Sequence, residues 1–226
     1  MIVCIFTKTD RIGTKPNNLI ILSKTSDSYK TITKPSPEVL YKEKGSKFLG
    51  FAFPVTTEDE IKEHIDNLRK EHHSARHWCY AWQLGKNYEH YRANDDGEPT
   101  NSAGMPIYGQ LQAFEVTNTL VVVVRYFGGT KLGVGGLIQA YKITAKMALE
   151  ASQIVSRTID QVFLLEFEYP EMDTVMRTIK EENLKIVDQK MDLSCKIWFS
   201  IRESEADRVF NIFENTYKVG IKPVEK

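Results

Sequence analysis

The sequence predicts an α+β fold in two successive units, and three observations carry that prediction. Leu120–Val124 is continuously apolar and β-branched, which reads as a strand buried on both faces. Between residues 29 and 157, strand-like segments alternate with helical periodicities such as Ile61, Ile65 and Leu68 at i, i+4 and i+7. From residue 158 onward the periodic segments run β-α-β-β-α-β, the order of a ferredoxin-like split. The expected division is an N-terminal extension over 1–28, a first unit over 29–157 and a second over 158–226.

Residues 1–27 hold two apolar islands, Met1–Phe6 and Leu19–Leu22, separated by Gly13, Pro16, Asn17 and Asn18. A strand, an unpacked extension and a start codon assigned too far upstream are all open readings there. Val39–Lys44 and Lys47–Val55 read as two strands of a hairpin turning at Gly45–Ser46. Thr57 stands three residues before Glu60, a capping box that opens a helix over 58–71. Trp78, Tyr80, Trp82 and Leu84 alternate with His77, Cys79, Ala81 and Gln83, giving a strand with one bulky face and one smaller, partly polar face. Residues 86–102 read as a loop. A helix is expected over 103–114, with Ser102 as its cap and Pro106 in its first turn, where proline is tolerated. Glycines then lead into a helix over 136–152, and the unit boundary falls near Ile154–Thr158.

In the second unit, Asp160–Glu168 alternates as a strand, and Pro170 opens a helix to Glu182 with Met172, Val175, Met176 and Ile179 on one face. Leu184–Lys190 and Leu193–Ile201 read as two strands. Glu203–Tyr217 reads as a helix bearing Ala206, Val209, Phe210 and Phe213, and Val219–Pro223 as a last strand.

The chain has 226 residues, 42% apolar and 27% charged, with a formal net charge of zero. That balance excludes a polybasic chain, although residues 1–157 carry 20 Lys+Arg against 16 Asp+Glu and residues 158–226 carry 10 against 14. Cys4, Cys79 and Cys195 are odd in number and widely spaced, which argues against a disulfide framework or a cysteine zinc site and for a reducing cytoplasm. No apolar run approaches the roughly 20 residues that span a bilayer.

Gly128, Gly129, Gly133, Gly135 and Gly136 lie between a buried strand and a helix, flanked by Arg125 and Lys131, and no acidic residue occurs from Val116 to Leu149. Glycines there let backbone N–H groups converge on an anion, and a helix N-terminus adds partial positive charge. A phosphate site, on nucleic acid or nucleotide, is one reading; a tight turn that needs glycine for packing alone is the other. The spacing matches neither the Walker A loop nor the dinucleotide fingerprint. The acidic loop of Asp95, Asp96 and Glu98 suits a hard divalent ion, a solvated turn, or a clamp on Arg76 or Arg92. His64, His72, His73, His77 and His90 cluster in sequence but lack metal-ligand spacing, so neither a metal nor a cofactor is expected. His77 and Asp96 are candidates for acid–base catalysis, with a structural histidine as the alternative. Trp78, Tyr80 and Trp82 read as core, with base stacking as the other use.

Four blocks stand in order: Ala75-Arg76-His77 with Cys79, then Asp95-Asp96-Gly97-Glu98-Pro99, then Ala103-Gly104 with Pro106-Ile107, then Arg125-Tyr126-Phe127-Gly128-Gly129 with Lys131-Leu132-Gly133. With Lys44-Gly45-Ser46-Lys47-Phe48 upstream, they resemble the motifs of the YigZ/IMPACT family over roughly 29–155. The pattern departs from the family at His73 and at Thr100–Asn101, outside the charged positions. The resemblance implies a first unit of the β-α-β type seen in elongation factor G domain IV, some ribosomal proteins and GHMP kinases. It implies a ferredoxin-like second unit like domain V of that factor. It also implies a role in regulating translation; the eukaryotic relative uses an additional N-terminal domain to reach its partner, so that partner does not transfer. The leading functional expectation is a binding protein that contacts RNA, the ribosome or a translation factor through the glycine-rich loop. An enzyme acting on a phosphorylated small molecule or nucleotide and a protein–protein adaptor are the alternatives.

Overall fold

The computed structural model describes residues 27–192 and 194–224. The extension expected over 1–28 therefore lies, except for Asp27 and Ser28, outside the described residues. Short β-branched and aromatic runs form β1 (Ser28–Ile32), β2 (Val39–Glu43) and β3 (Ser46–Pro54). β2 and β3 meet through Lys44–Gly45, whose φ angles of 45° and 81° suit the twist of a two-residue hairpin turn. The expected turn at Gly45–Ser46 is shifted by one residue, because Ser46 already pairs with Glu43.

Helix α1 (Glu58–Glu71) has the boundaries its capping box predicts: the Thr57 side chain accepts from Glu60 N, and Glu60 reaches back to the Thr57 backbone. β4 (His77–Leu84) follows. The expected loop over 86–102 contains a strand, β5 (His90–Asn94), paired among the described residues with β4 alone, at the sheet edge. Its residues are largely exposed, so no apolar alternation marks it in the sequence. Helix α2 (Gly104–Ala113) is not capped by Ser102, whose hydroxyl donates to Pro99 O; Asp95 Oδ1 instead accepts from Ala103 N and Gly104 N. β6 (Thr119–Tyr126) runs into helix α3 (Gly133–Glu150), which begins three residues before the expected start, so Gly133, Gly135 and Gly136 belong to its first turn. The expected boundary stretch is itself a strand, β7 (Ile154–Thr158), antiparallel to β1.

The five-stranded sheet has the order β2-β3-β6-β4-β5 with every neighbour antiparallel. One face packs Phe51, Trp82, Leu120, Val122 and Val124 on Ile61, Ile65 and Leu68 of α1. The other packs Phe48, Cys79, Ala81, Val121 and Val123 on α2 and α3. Leu120–Val124 are wholly buried, as a central strand between two helical layers requires. Burying each of those side chains contributes about 1.5–3 kcal/mol. Trp82 is a core residue, and Trp78 and Tyr80 pack against the same cluster.

The second unit comprises β8 (Asp160–Glu168), α4 (Met172–Glu181), β9 (Lys185–Met191), β10 (Ser194–Arg202), α5 (Glu203–Glu214) and β11 (Val219–Pro223). Leu193, the expected first residue of the strand that becomes β10, lies outside the described residues. The all-antiparallel order β11-β8-β10-β9 is that of the ferredoxin-like split. Pro170 sits in a single 3₁₀ turn, Tyr169–Glu171, ahead of α4 rather than opening it, and Met176 is exposed. Phe163, Leu165, Phe167, Ile197, Phe199 and Phe213 anchor a separate core. Among the described residues, no helix is long and apolar enough to cross a membrane.

Candidate functional site

The charged residues of the sequence motifs converge because β4 and β6 pair with His77 opposite Arg125. That register brings the Arg76–His77 pair, the acidic loop after β5 and the start of α3 to one end of the sheet. They line a pocket of ≈ 500 Å³. Its polar lining comprises Arg76, His77, Glu98, Arg125 and Lys131, and its apolar walls include Phe127, Leu132, Val134 and Leu137.

Beneath the pocket lies a buried charge cluster. Arg125 Nη1 donates to Glu98 Oε1 at 2.5 Å, with side-chain exposures of only 6% and 4%. The Tyr141 hydroxyl donates to the same oxygen at 2.8 Å. The Arg125 guanidinium also lies 5.4 Å from the Phe48 ring centre and 5.6 Å from that of Phe127, while its Nε has no hydrogen-bond partner among the described residues. His77 Nδ1 lies 2.9 Å from Asp96 O. A carbonyl can only accept, so Nδ1 carries the proton and Nε2 is left facing Glu98 Oε1 at 3.9 Å. Burial, the neighbouring Cys79 and the Glu98 carboxylate push the Tyr141 phenol far above its ordinary range. Burial chiefly, reinforced by Glu98, Asp96 and Asp95, likewise raises the Cys79 thiol and holds it neutral, although its hydrogen bond with Tyr141 works in the other direction. It is an inert thiol.

The acidic loop is committed to structure at all three of its positions. Asp95 Oδ1 caps α2, and its Oδ2 accepts from Asn101 N at 2.8 Å. Asp96 Oδ1 accepts from Arg69 Nη2 at 2.9 Å and Oδ2 from Trp78 N at 2.7 Å, and Asp96 does not line the pocket. Glu98 is the loop carboxylate that does. A clamp therefore exists, but on Arg69 and Arg125 rather than Arg76 or Arg92. Among the described residues no group of three or more His, Cys, Asp or Glu side chains is placed to hold a metal ion.

The glycines divide into two kinds. A Cβ on Gly128 would fall 1.9 Å from Gly45 C and 2.1 Å from Gly45 O, so Gly128 exists for close approach to the β2–β3 hairpin. Ser46 joins the same junction, its hydroxyl accepting from Gly128 N at 3.2 Å. Among the described residues, a Cβ on Gly129, Gly133 or Gly135 would meet nothing within 4 Å. Gly129 and Gly133 have φ of 86° and 72°, which accounts for glycine there; Gly135 has no such angle. The α3 N-terminus has no side-chain cap and no acidic residue in its first turn. The first N–H groups of a helix lack intrahelical partners, and exposed Lys131, Val134 and Phe127 stand beside those of α3.

Of the residues that the sequence singles out, Arg125, Lys131, Gly133, Glu98 and His77 line this pocket, whereas Gly128 is spent on the hairpin and Asp95 and Asp96 on the loop. Sequence reasoning does not mark Arg76, Phe127, Val134 or Tyr141 as site residues. Arg76 is exposed with its guanidinium 5.3 Å from the Phe127 ring centre. The signal for that pair is the antiparallel register of its two motifs, which becomes visible only once β4 and β6 are paired.

Comparison with known proteins follows the same residues. The model of the Impact N-terminal domain matches residues 44–149. The chain is 32% identical over 181 residues to the IMPACT family member YvyE of Bacillus subtilis, covering 79% of this chain and 83% of that one. It is 32% identical over 147 residues to the IMPACT family member YigZ of Escherichia coli, covering 64% and 72% respectively. A crystal structure described as that of a hypothetical protein superposes with a TM-score of 0.64 at 25% identity, over 88% of this chain and 98% of the other.

Proposed function

This chain belongs to the IMPACT family, and from that premise we propose that it is a translation-linked binding protein. It contacts RNA, the ribosome or a translation factor through the pocket at the start of α3. The observation that carries this reading is the uncapped, acid-free N-terminus of α3, set beside exposed Arg76 and Lys131. Unoccupied N–H groups at a helix start favour a phosphate or carboxylate, and two nearby cations reinforce them. Arg125 is already neutralised by Glu98, so in this reading it shapes the floor while Arg76 and Lys131 meet the partner.

Salt-dependent binding is the test. Arg76→Ala with Lys131→Ala should weaken sedimentation with ribosomes, or retention of RNA, and lower the salt slope by about 1 for each phosphate that is no longer neutralised. A folded double variant that binds as the parent does would remove the site.

One observation favours a second reading, an enzyme on a phosphorylated small molecule: His77, held through Nδ1 by Asp96 O, turns Nε2 toward buried Glu98 at the pocket. In that case His77→Ala abolishes turnover while leaving ligand affinity nearly intact.

A further inference from the structure

We propose that the pocket takes a nucleoside monophosphate group, presented as a free nucleotide or as the terminal nucleotide of an RNA; the inference rests on the anion site argued above. Size is the first ground. A cavity of ≈ 500 Å³ falls within the small-ligand range and accommodates one nucleotide, whereas a duplex needs an extended groove.

Its two-part lining is the second ground. Arg76, Lys131 and the first N–H groups of α3 supply positive charge and donors, and Leu132, Val134 and Leu137 supply apolar surface. Inorganic phosphate would leave that surface wet, and a purely apolar ligand would leave the donors unmatched. A phosphate joined to a flat, largely apolar base satisfies both.

The third ground is Gly135. Glycine is a poor helix former, yet Gly135 lies in the first turn of α3 with no positive φ and, among the described residues, with open space where a Cβ would stand. Among the described residues neither packing nor backbone conformation accounts for it, whereas close approach of a phosphate to the helix start beside the pocket-lining Gly133 and Val134 does. Independently of the helix end, the Arg125 guanidinium that lines the pocket is buried and keeps an Nε–H with no partner among the described residues. A polar ligand or its bound water would supply one. The sole carboxylate lining the pocket among the described residues, Glu98, is held by Arg125 and Tyr141, so it does not oppose an incoming anion as a free charge would.

The experiment is an amide-resolved NMR titration of the full chain with AMP, GMP, CMP and UMP, against adenosine and inorganic phosphate separately. At least one nucleotide should shift the Gly133, Val134 and Gly135 amides with an affinity of roughly millimolar or tighter. Adenosine and phosphate should each bind about tenfold more weakly or worse, since each uses one half of the lining. Val134→Glu, at a side chain 53% exposed, should preserve the melting temperature and weaken the nucleotide by about tenfold or more. Two oligoribonucleotide arms separate the sources. Competition by 5′- or 3′-phosphorylated RNA but not by its dephosphorylated form assigns a terminal nucleotide, and no competition by either assigns the free nucleotide. The inference is overturned if no nucleotide moves those amides, if phosphate alone binds as well, or if Val134→Glu binds unchanged. Ribosome binding that depends on Arg76 and Lys131 in the absence of any nucleotide shift would overturn this inference alone. Nucleotide binding without ribosome or RNA binding would overturn the translation role and leave it standing.

Discussion

Glu98→Gln removes one charge from a pair in which both side chains are about 95% buried, and leaves the Arg125 guanidinium unneutralised between Phe48 and Phe127. The glutamine can still accept from Tyr141, so the loss is chiefly electrostatic. Two unit charges about 4 Å apart interact by about 4 kcal/mol at an effective dielectric of about 20. Breaking a buried pair from one side costs about 3–5 kcal/mol. Because the amide preserves a hydrogen bond, the lower end applies: a loss of about 3 kcal/mol, or roughly 10 °C in melting temperature for a domain of this size. Thermal denaturation followed by near-ultraviolet circular dichroism reports the loss of tertiary packing around the aromatic side chains. The decisive variant is the double one. Arg125→Met together with Glu98→Gln removes the stranded charge and offers a thioether to the two aromatic rings. It should be more stable than Glu98→Gln alone, with a coupling of about 2 kcal/mol. A Glu98→Gln loss below about 1 kcal/mol, or a double variant whose losses simply add, would refute the reasoning that an uncompensated buried charge sets the cost.

Gly128→Ala should destabilise by about 3 kcal/mol or more, since its methyl would overlap the Gly45 backbone, whereas Gly135→Ala should stabilise α3 by about 1 kcal/mol; denaturant midpoints of the two variants check the contrast. Asp95→Ala releases three backbone donors, Asn101 N, Ala103 N and Gly104 N, and should cost about 2 kcal/mol, with amide exchange speeding up first at Ala103 and Gly104. The buried thiol and phenol of Cys79 and Tyr141 have folded-state pKa values raised above their ordinary 9.0 and 10.0, so the unfolded chain releases those protons first. Their contribution is whole below pH 9 and is lost as pH rises through that range, so melting temperature should fall from pH 8 to pH 10.5, and Cys79→Ala should delay the onset. A decline of unchanged onset in that variant would remove Cys79 from the account.

What can be read from the sequence and what cannot follow from where each signal resides. α1 is legible to the residue because both halves of its cap are local, Thr57 and Glu60 lying three apart. β6 is legible because a strand covered on both faces has no polar positions along its middle. β5 is not, since an exposed edge strand has no pattern to display. The true cap of α2 is equally hidden, because Asp95 reaches Gly104 across nine residues and looks in sequence like any acidic turn residue. The site divides in the same way. The glycines and Lys131 announce an open helix start, but whether Arg125 is a free cation depends on Glu98, which lies 27 residues away and meets it only through the pairing of separate strands. Sequence charge states what a residue carries; the tertiary partner determines whether that charge is available.

The pairing of β1 with β7 bears on how this chain is made. Those strands bring residues 28–32 against 154–158, so the segment that appears early during synthesis waits for one made some 126 residues later. A ribosome must release nearly the whole first unit before that ribbon closes. Until then Ile32, which ends almost fully buried, has no completed site to enter. The last residue of the ribbon then leads directly into β8, with Ile159 N donating to Asp27 O at 2.6 Å. Closing the ribbon thus ties the start of the first unit to the residue that leads into β8.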